Sequence, residues 1–305
     1  MPDTLTNNRG DIRRYLQPEV AATLANLELI ARLVVEGFMT GLHKSPYHGF
    51  SIEFSQHRPY MDGDSLRFVD WKVYGRTDRF YIKQFEEETN LRSYLLLDVS
   101  SSMQYGSGQV KKSDYAAFLT AALAYLFIKQ RDAAGLVLFD EQVREILPPR
   151  SMPSYLNHIL HAIGKAEFGR DTQINRVLHQ VAERLKRRGL IILISDLMDT
   201  PEKILSGLKH FRHDKHEVLV FHIMDRSEAD FSFSGEVQFE DLESGEKVKT
   251  QPRYIRDAYR EQIEAFMDYY KLNFSNNRID YQLLFTDTPF DVAINEYLLK
   301  RKRLY

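Results

Sequence analysis

Tyr94-Leu95-Leu96-Leu97-Asp98-Val99-Ser100-Ser101-Ser102 ends an apolar run on one carboxylate followed by hydroxyls at alternate positions. The run has the length and composition of a buried strand, and its last residues read as the start of a loop. Residues two apart point the same way in an extended chain, so Asp98, Ser100 and Ser102 can face one point. All their donor atoms are oxygens, which suits a hard divalent cation such as Mg2+ or Mn2+. Taken alone the spacing is also ordinary turn chemistry, since Asp and Ser bond readily to nearby backbone.

Around this stretch short apolar strands alternate with longer helical periods. Gly135–Phe139, Leu190–Ile194, Glu217–Ile223 and Tyr281–Phe285 read as strands. Val143–Leu147 reads as a strand returning antiparallel after the Asp140-Glu141 corner. Ser113–Gln130, Pro153–Ala166, Ile174–Arg188, Pro201–His213, Tyr254–Lys271 and Phe290–Lys300 carry helical spacing. Such alternation predicts an α/β, doubly wound, mostly parallel sheet with helices on both faces. Ligands in such sheets gather beyond the carboxyl ends of the strands. Two further oxygen donors fall where that rim would need them. Asp196 follows the Leu190–Ile194 strand, and Thr172 precedes the helix that opens at Ile174. Singly, Thr172 reads as a helix cap and Asp196 as a solvated strand end.

Before this region the chain reads differently. Met1 to Arg14 is a polar arm. Pro18 opens a helical pattern through Leu24, Leu27, Ile30, Ala31 and Val34 that ends near Gly37, and Phe50-Ser51-Ile52-Glu53-Phe54 alternates like a half-buried strand. Phe80 and Ile82 suggest another strand. The expected organisation is an arm (1–14), a helix-plus-β module (15–90) and a larger α/β domain (91–305). A β-hairpin excursion (225–252) interrupts that domain.

Composition narrows the function. The 305 residues include 43% hydrophobic and 28% charged side chains, an ordinary globular balance, and 41 basic against 43 acidic residues leave a net charge of -2. Nothing in that balance favours a nucleic-acid or membrane surface. With no cysteine, disulfides, thiolate catalysis and Cys-ligated metals are excluded. The longest apolar runs are too short to cross a bilayer and the amino terminus lacks a signal-peptide core, so the expected location is cytoplasmic.

The set Asp98-x-Ser100-x-Ser102, Thr172 and Ser195-Asp196 resembles the metal-ion-dependent adhesion site of von Willebrand factor A-like domains, over roughly Leu91 to Tyr305. The resemblance implies that Ser100, Ser102 and often Thr172 touch the metal, while Asp98 and Asp196 act largely through water. It also implies an open metal position that a partner's carboxylate fills. In the opening third a further series runs Gly49-Phe50-Ser51-Ile52-Glu53-Phe54, Arg58-Pro59-Tyr60, Gly63-Asp64, Arg67-Phe68-Val69-Asp70-Trp71, Arg76, and Lys83-Gln84-Phe85-Glu86. Placed just before such a domain, it resembles the bacterial domain-of-unknown-function 58 family. That resemblance implies a chaperone-like partner role beside a MoxR-type AAA+ ATPase. Many members carry amino-terminal membrane helices, and none is legible here.

Other readings carry less. A magnesium-dependent phosphohydrolase could also place Asp98 at a strand end, but the second acid it needs two residues later is replaced by Ser100. No P-loop and no Gly-x-Ser-x-Gly elbow is present. Arg58, Arg67, Arg76 and Arg79 interleave with Tyr60, Trp71 and Tyr74 as a single-strand nucleic-acid platform would. Asp62, Asp64, Asp70 and Asp78 sit among them, and Arg–carboxylate pairing such as Arg67 with Asp70 consumes those charges. His210, His213 and His216 invite a zinc reading, but they sit at a helix end that favours cations and lack a completing ligand. Lys300-Arg301-Lys302-Arg303 reads as a solvated basic helix end.

Overall fold

A computed structural model describes residues 12–24, 26–42, 57–59, 71–83, 91–169, 173–240 and 247–302. The expected strand at 50–54, most of the 58–71 series with its Arg–Asp pairs, Gln84–Glu86 and Thr172 lie outside these residues. The elements are α1 (Pro18–Ala21), α2 (Leu27–Leu42), β1 (His57–Pro59), α3 (Trp71–Thr77), β2 (Tyr81–Lys83), β3 (Arg92–Asp98), α4 (Lys112–Lys129), β4 (Ala133–Phe139), β5 (Val143–Arg150), α5 (Tyr155–Gly164), α6 (Ile174–Arg184), β6 (Leu190–Ser195), α7 (Pro201–His213), β7 (Glu217–Met224), α8 (Arg226–Asp230), β8 (Val237–Glu240), β9 (Lys247–Thr250), α9 (Arg256–Asn276), β10 (Asp280–Phe285) and α10 (Phe290–Lys302).

Six strands form one sheet in the order β10-β7-β6-β3-β4-β5. All neighbours are parallel except β4 and β5, which are antiparallel. This is the doubly wound, mostly parallel sheet with helices on both faces that the alternation of strands and helices predicts. Chain order reverses beside β3, which places the carboxyl ends of β3 and β6 at the switch point where such sheets hold ligands. The short pairs β1–β2 and β8–β9 are antiparallel and separate from the sheet.

Alternation along β3 sends its side chains to two cores. Leu95 and Leu97 join α2, α4, α5 and α10 on one face. Tyr94 and Leu96 join α6, α7 and α9 on the other. Burial on both faces explains the unbroken apolar runs of β3 and β6. Helix α2 packs its Ile30, Ala31, Val34, Val35 and Phe38 stripe into the same core as α4.

Several helix ends differ from the sequence reading for local reasons. The helix expected to run on from Pro18 is broken. Asn26 Oδ1 accepts the N–H groups of Glu28 and Leu29 at 2.8 and 3.2 Å and restarts the chain as α2. Helix α2 then continues through Gly37 to Leu42, because packing of Phe38 outweighs the glycine's propensity cost. Helix α6 stops at Arg184 rather than Arg188. The next strand must enter through Gly189, where a Cβ would strike the carbonyl of Arg92. Helix α9 runs on to Asn276, carried by buried Tyr270 and Phe274 one turn apart.

Candidate functional site

The parity of neighbouring strands builds the rim. Leu97 pairs with Ile194, so one step further Asp98 stands opposite Ser195. Asp98 has the parity of Leu96, and Ser195 that of Leu193, so both side chains lie on the α6–α7–α9 side. Ser195 Oγ donates to Asp98 Oδ2 at 2.6 Å, and the Ser100 N–H donates to Oδ1 at 2.9 Å. Both carboxylate oxygens of Asp98 are thus held, and the residue is wholly buried. Burial, with the negative charge of Asp196 beside it, pushes its carboxyl up to about 7.

Asp196 has the opposite parity and turns toward α4. There the ammonium of Lys112 donates to Asp196 Oδ2 at 2.8 Å and to Glu228 Oε1 at 2.7 Å. Lys112 is 1% exposed. Burial works against its charge, but the two carboxylates outweigh that and hold its pKa above the ordinary lysine value. A lysine at the first turn of a helix opposes the helix dipole, and two buried acids compensate here. That unfavourable placement in Lys111-Lys112 is the one sequence signal for a residue the sequence reading missed. Glu228 and Asp225 were also missed, although Asp225-x-x-Glu228 is a legible capping box. Asp225 Oδ1 accepts the Ser227 N–H at 2.9 Å, and Glu228 Oε2 accepts the Asp225 N–H at 2.7 Å. Burial raises the Asp225 carboxyl, but hydrogen bonds from Ser107 and Ser227 outweigh it and leave it below its ordinary value. Those Ser107 bonds and Tyr105 OH···Ser227 Oγ at 2.7 Å strap the loop after Ser102 to α8.

Ser100 Oγ and Ser102 Oγ lie 3.1 Å apart. Neighbouring ligands of an octahedral Mg2+ at 2.0–2.1 Å are about 2.9 Å apart, so the two hydroxyls have the bite such an ion needs. Asp98 and Asp196 are hydrogen-bonded already, yet each carboxylate keeps lone pairs for a metal-bound water. The donor set suits a hard cation, which Ser100 and Ser102 would hold directly and Asp98 and Asp196 through water. Of the five residues anticipated, these four converge on one rim, and Thr172 lies outside the described residues.

The histidine trio does not converge. His216 is buried, its Nε2 3.3 Å from the Leu185 carbonyl oxygen and its ring edge-on to Phe211, whereas His213 is exposed. Lys300 is not solvated either. It is nearly buried and bonds Glu217 at 2.9 Å and Asp280 at 2.6 Å. Among the described residues no helix is long and apolar enough to cross a membrane.

Comparison with known proteins places these features in a family. The family model described as "Protein of unknown function DUF58" matches residues 56–267. The "Uncharacterized protein Rv1480" of Mycobacterium tuberculosis (strain ATCC 25618 / H37Rv) is 27% identical over 240 residues, covering 78% of this chain and 74% of that protein. Among solved structures, the conserved hypothetical protein BatB from Bacteroides thetaiotaomicron aligns over 70% of this chain and 99% of its own, at 15% identity and a TM-score of 0.49. The SpRpn10 VWA domain aligns over 68% of this chain and 95% of its own, at 10% identity and a TM-score of 0.42.

Proposed function

Because this chain belongs to the DUF58 family, we propose that its sheet rim is a divalent-metal-dependent docking site for a carboxylate of a partner protein. On this reading the chain is a non-enzymatic adaptor that works with a MoxR-type AAA+ ATPase on client proteins. The observation that carries the reading is the Ser100–Ser102 hydroxyl pair, 3.1 Å apart beside two buried carboxylates. A bound Mg2+ or Mn2+ supplies one open position for an outside oxygen ligand. Ser100 and Ser102 are neutral donors, so they leave the ion's charge for the incoming acid. Asp98 is fixed by Ser195 and the Ser100 N–H, which keeps its oxygens aimed while the guest binds. Lys112 holds Asp196 from behind and links it through Glu228 to α8, where the 225–252 excursion begins. Binding at the rim is thereby linked to the start of that segment.

The same geometry disfavours the phosphohydrolase reading. The acid that must protonate the leaving group, two residues after Asp98, is replaced by Ser100, whose hydroxyl lies 3.1 Å from that of Ser102.

Isothermal titration of Mg2+ into wild type, Asp98→Ala and Ser102→Ala tests the site. Wild type is expected to bind one equivalent, and both variants to bind at least tenfold more weakly. Equal affinity in all three ends the proposal. Affinity capture in Mg2+ against EDTA then tests the partnership, with the AAA+ ATPase expected only in Mg2+ and only with wild type.

A further inference from the structure

His210 lies in the basic stretch at the end of α7, and its partner is on another helix. His179, on α6, presents Nδ1 3.1 Å from Nδ1 of His210. The ring centroids are 5.3 Å apart and tilted by 46°. Two imidazole nitrogens bound to one Zn2+ at 2.0–2.1 Å stand about 3.3 Å apart in a tetrahedral site and about 2.9 Å apart at a right-angle bite. The observed separation lies between the two. The rings are half-buried rather than sealed, so a cation can reach them. On the far side of His210, Nε2 is 3.8 Å from Asp214 Oδ2. That is beyond hydrogen-bond distance, but the carboxylate's charge favours a proton on the Nε2 facing it, which leaves the Nδ1 lone pair for an ion.

We propose that His179 and His210 form a second cation site, selective for borderline transition ions such as Zn2+, Ni2+ or Cu2+ and distinct from the oxygen-lined rim. Imidazole nitrogen suits these ions, whereas Mg2+ prefers oxygen. Without metal one Nδ1 donates a proton to the other. On binding, that proton moves to Nε2 of the donor ring through solvent, and both Nδ1 lone pairs meet the ion. Among the described residues no third His, Asp or Glu joins the pair, so water or an outside ligand completes the coordination. The site bridges α6 and α7, so an ion there staples the two helices. It stands or falls apart from the docking role of the rim.

The test is calorimetric titration of Zn2+ at pH 7.5 in excess Mg2+, which competes for any oxygen-lined site, with wild type, His179→Gln, His210→Gln and His213→Gln. Circular dichroism checks that each variant is folded. One equivalent bound by wild type and by His213→Gln, with at least tenfold weaker binding in each of the other two, supports the site. Electron paramagnetic resonance of the Cu2+ form is then expected to show two coupled nitrogens, falling to one in either variant. No Zn2+ binding by wild type overturns the proposal. So does equal binding in all four proteins, or an equal loss on removing His213.

Discussion

At the residue scale the unusual expense is Lys112. Its ammonium lies out of water between Asp196 and Glu228, and removing one member of a buried ion set leaves the others uncompensated. Lys112→Met is therefore expected to destabilise the fold by about 3–5 kcal/mol in urea unfolding. A loss below about 1 kcal/mol would show that the two acids find other partners. His222 provides a pH signature. It is wholly buried on β7, against Phe266 and Tyr270, and burial pushes its imidazole down from 6.5 to about 4. The unfolded chain binds the proton first, so the stability linked to neutral His222 is complete above pH 6.5 and is lost as pH falls toward 4. Asp98 runs the other way. Its folded carboxyl, raised from 3.8 to about 7, contributes stability that is complete at low pH and lost as pH rises through 7. Their opposed slopes overlap, so the test is a difference. The unfolding free energy of wild type minus that of His222→Phe is expected to grow by roughly 1–2 kcal/mol from pH 5 to 6.5 in EDTA. A difference that does not change with pH rejects the assignment.

At the scale of elements, close approach decides positions that propensity does not. Gly207 lies in the middle of α7, where glycine is a poor helix former. A Cβ there would stand 2.7 Å from Leu178 Cβ on α6. Gly207→Ala gains propensity but must push α7 away from α6, a change expected to cost about 1–3 kcal/mol by urea unfolding. A neutral or stabilising result would mean that the two helices slide freely. The 225–252 excursion is an ordered element in its described part. Phe231, Phe233, Phe239 and Tyr259 pack together, and Arg256 donates to the carbonyls of Phe231 and Phe233 at 3.1 and 2.6 Å. Sequence foresaw the hairpin but not its attachment to α9, because the rings that meet are up to 28 residues apart.

At the scale of the whole molecule, α2 covers part of the core it shares with α4. Leu119, Leu123 and Leu126 lie in the same cluster as Ile30, Val34 and Phe38. A chain shortened to residues 91–305 is expected to expose that face, to bind a hydrophobic dye and to melt well below the full chain. Melting at the same temperature without dye binding would show that the α/β part is complete alone.

The sequence by itself determined the α/β class, the sheet direction, the returning β5 and the oxygen-bearing strand ends. These follow from short-range rules, namely apolar period, strand length and the residue types that end a strand. The tertiary structure alone decided that Lys112 joins Asp196 and Glu228, that Ser195 anchors Asp98, and that His210 meets His179 rather than its neighbours on α7. Those contacts depend on strand register and helix docking, which bring together residues from 31 to 116 positions apart. No local pattern in the chain specifies a distance across space.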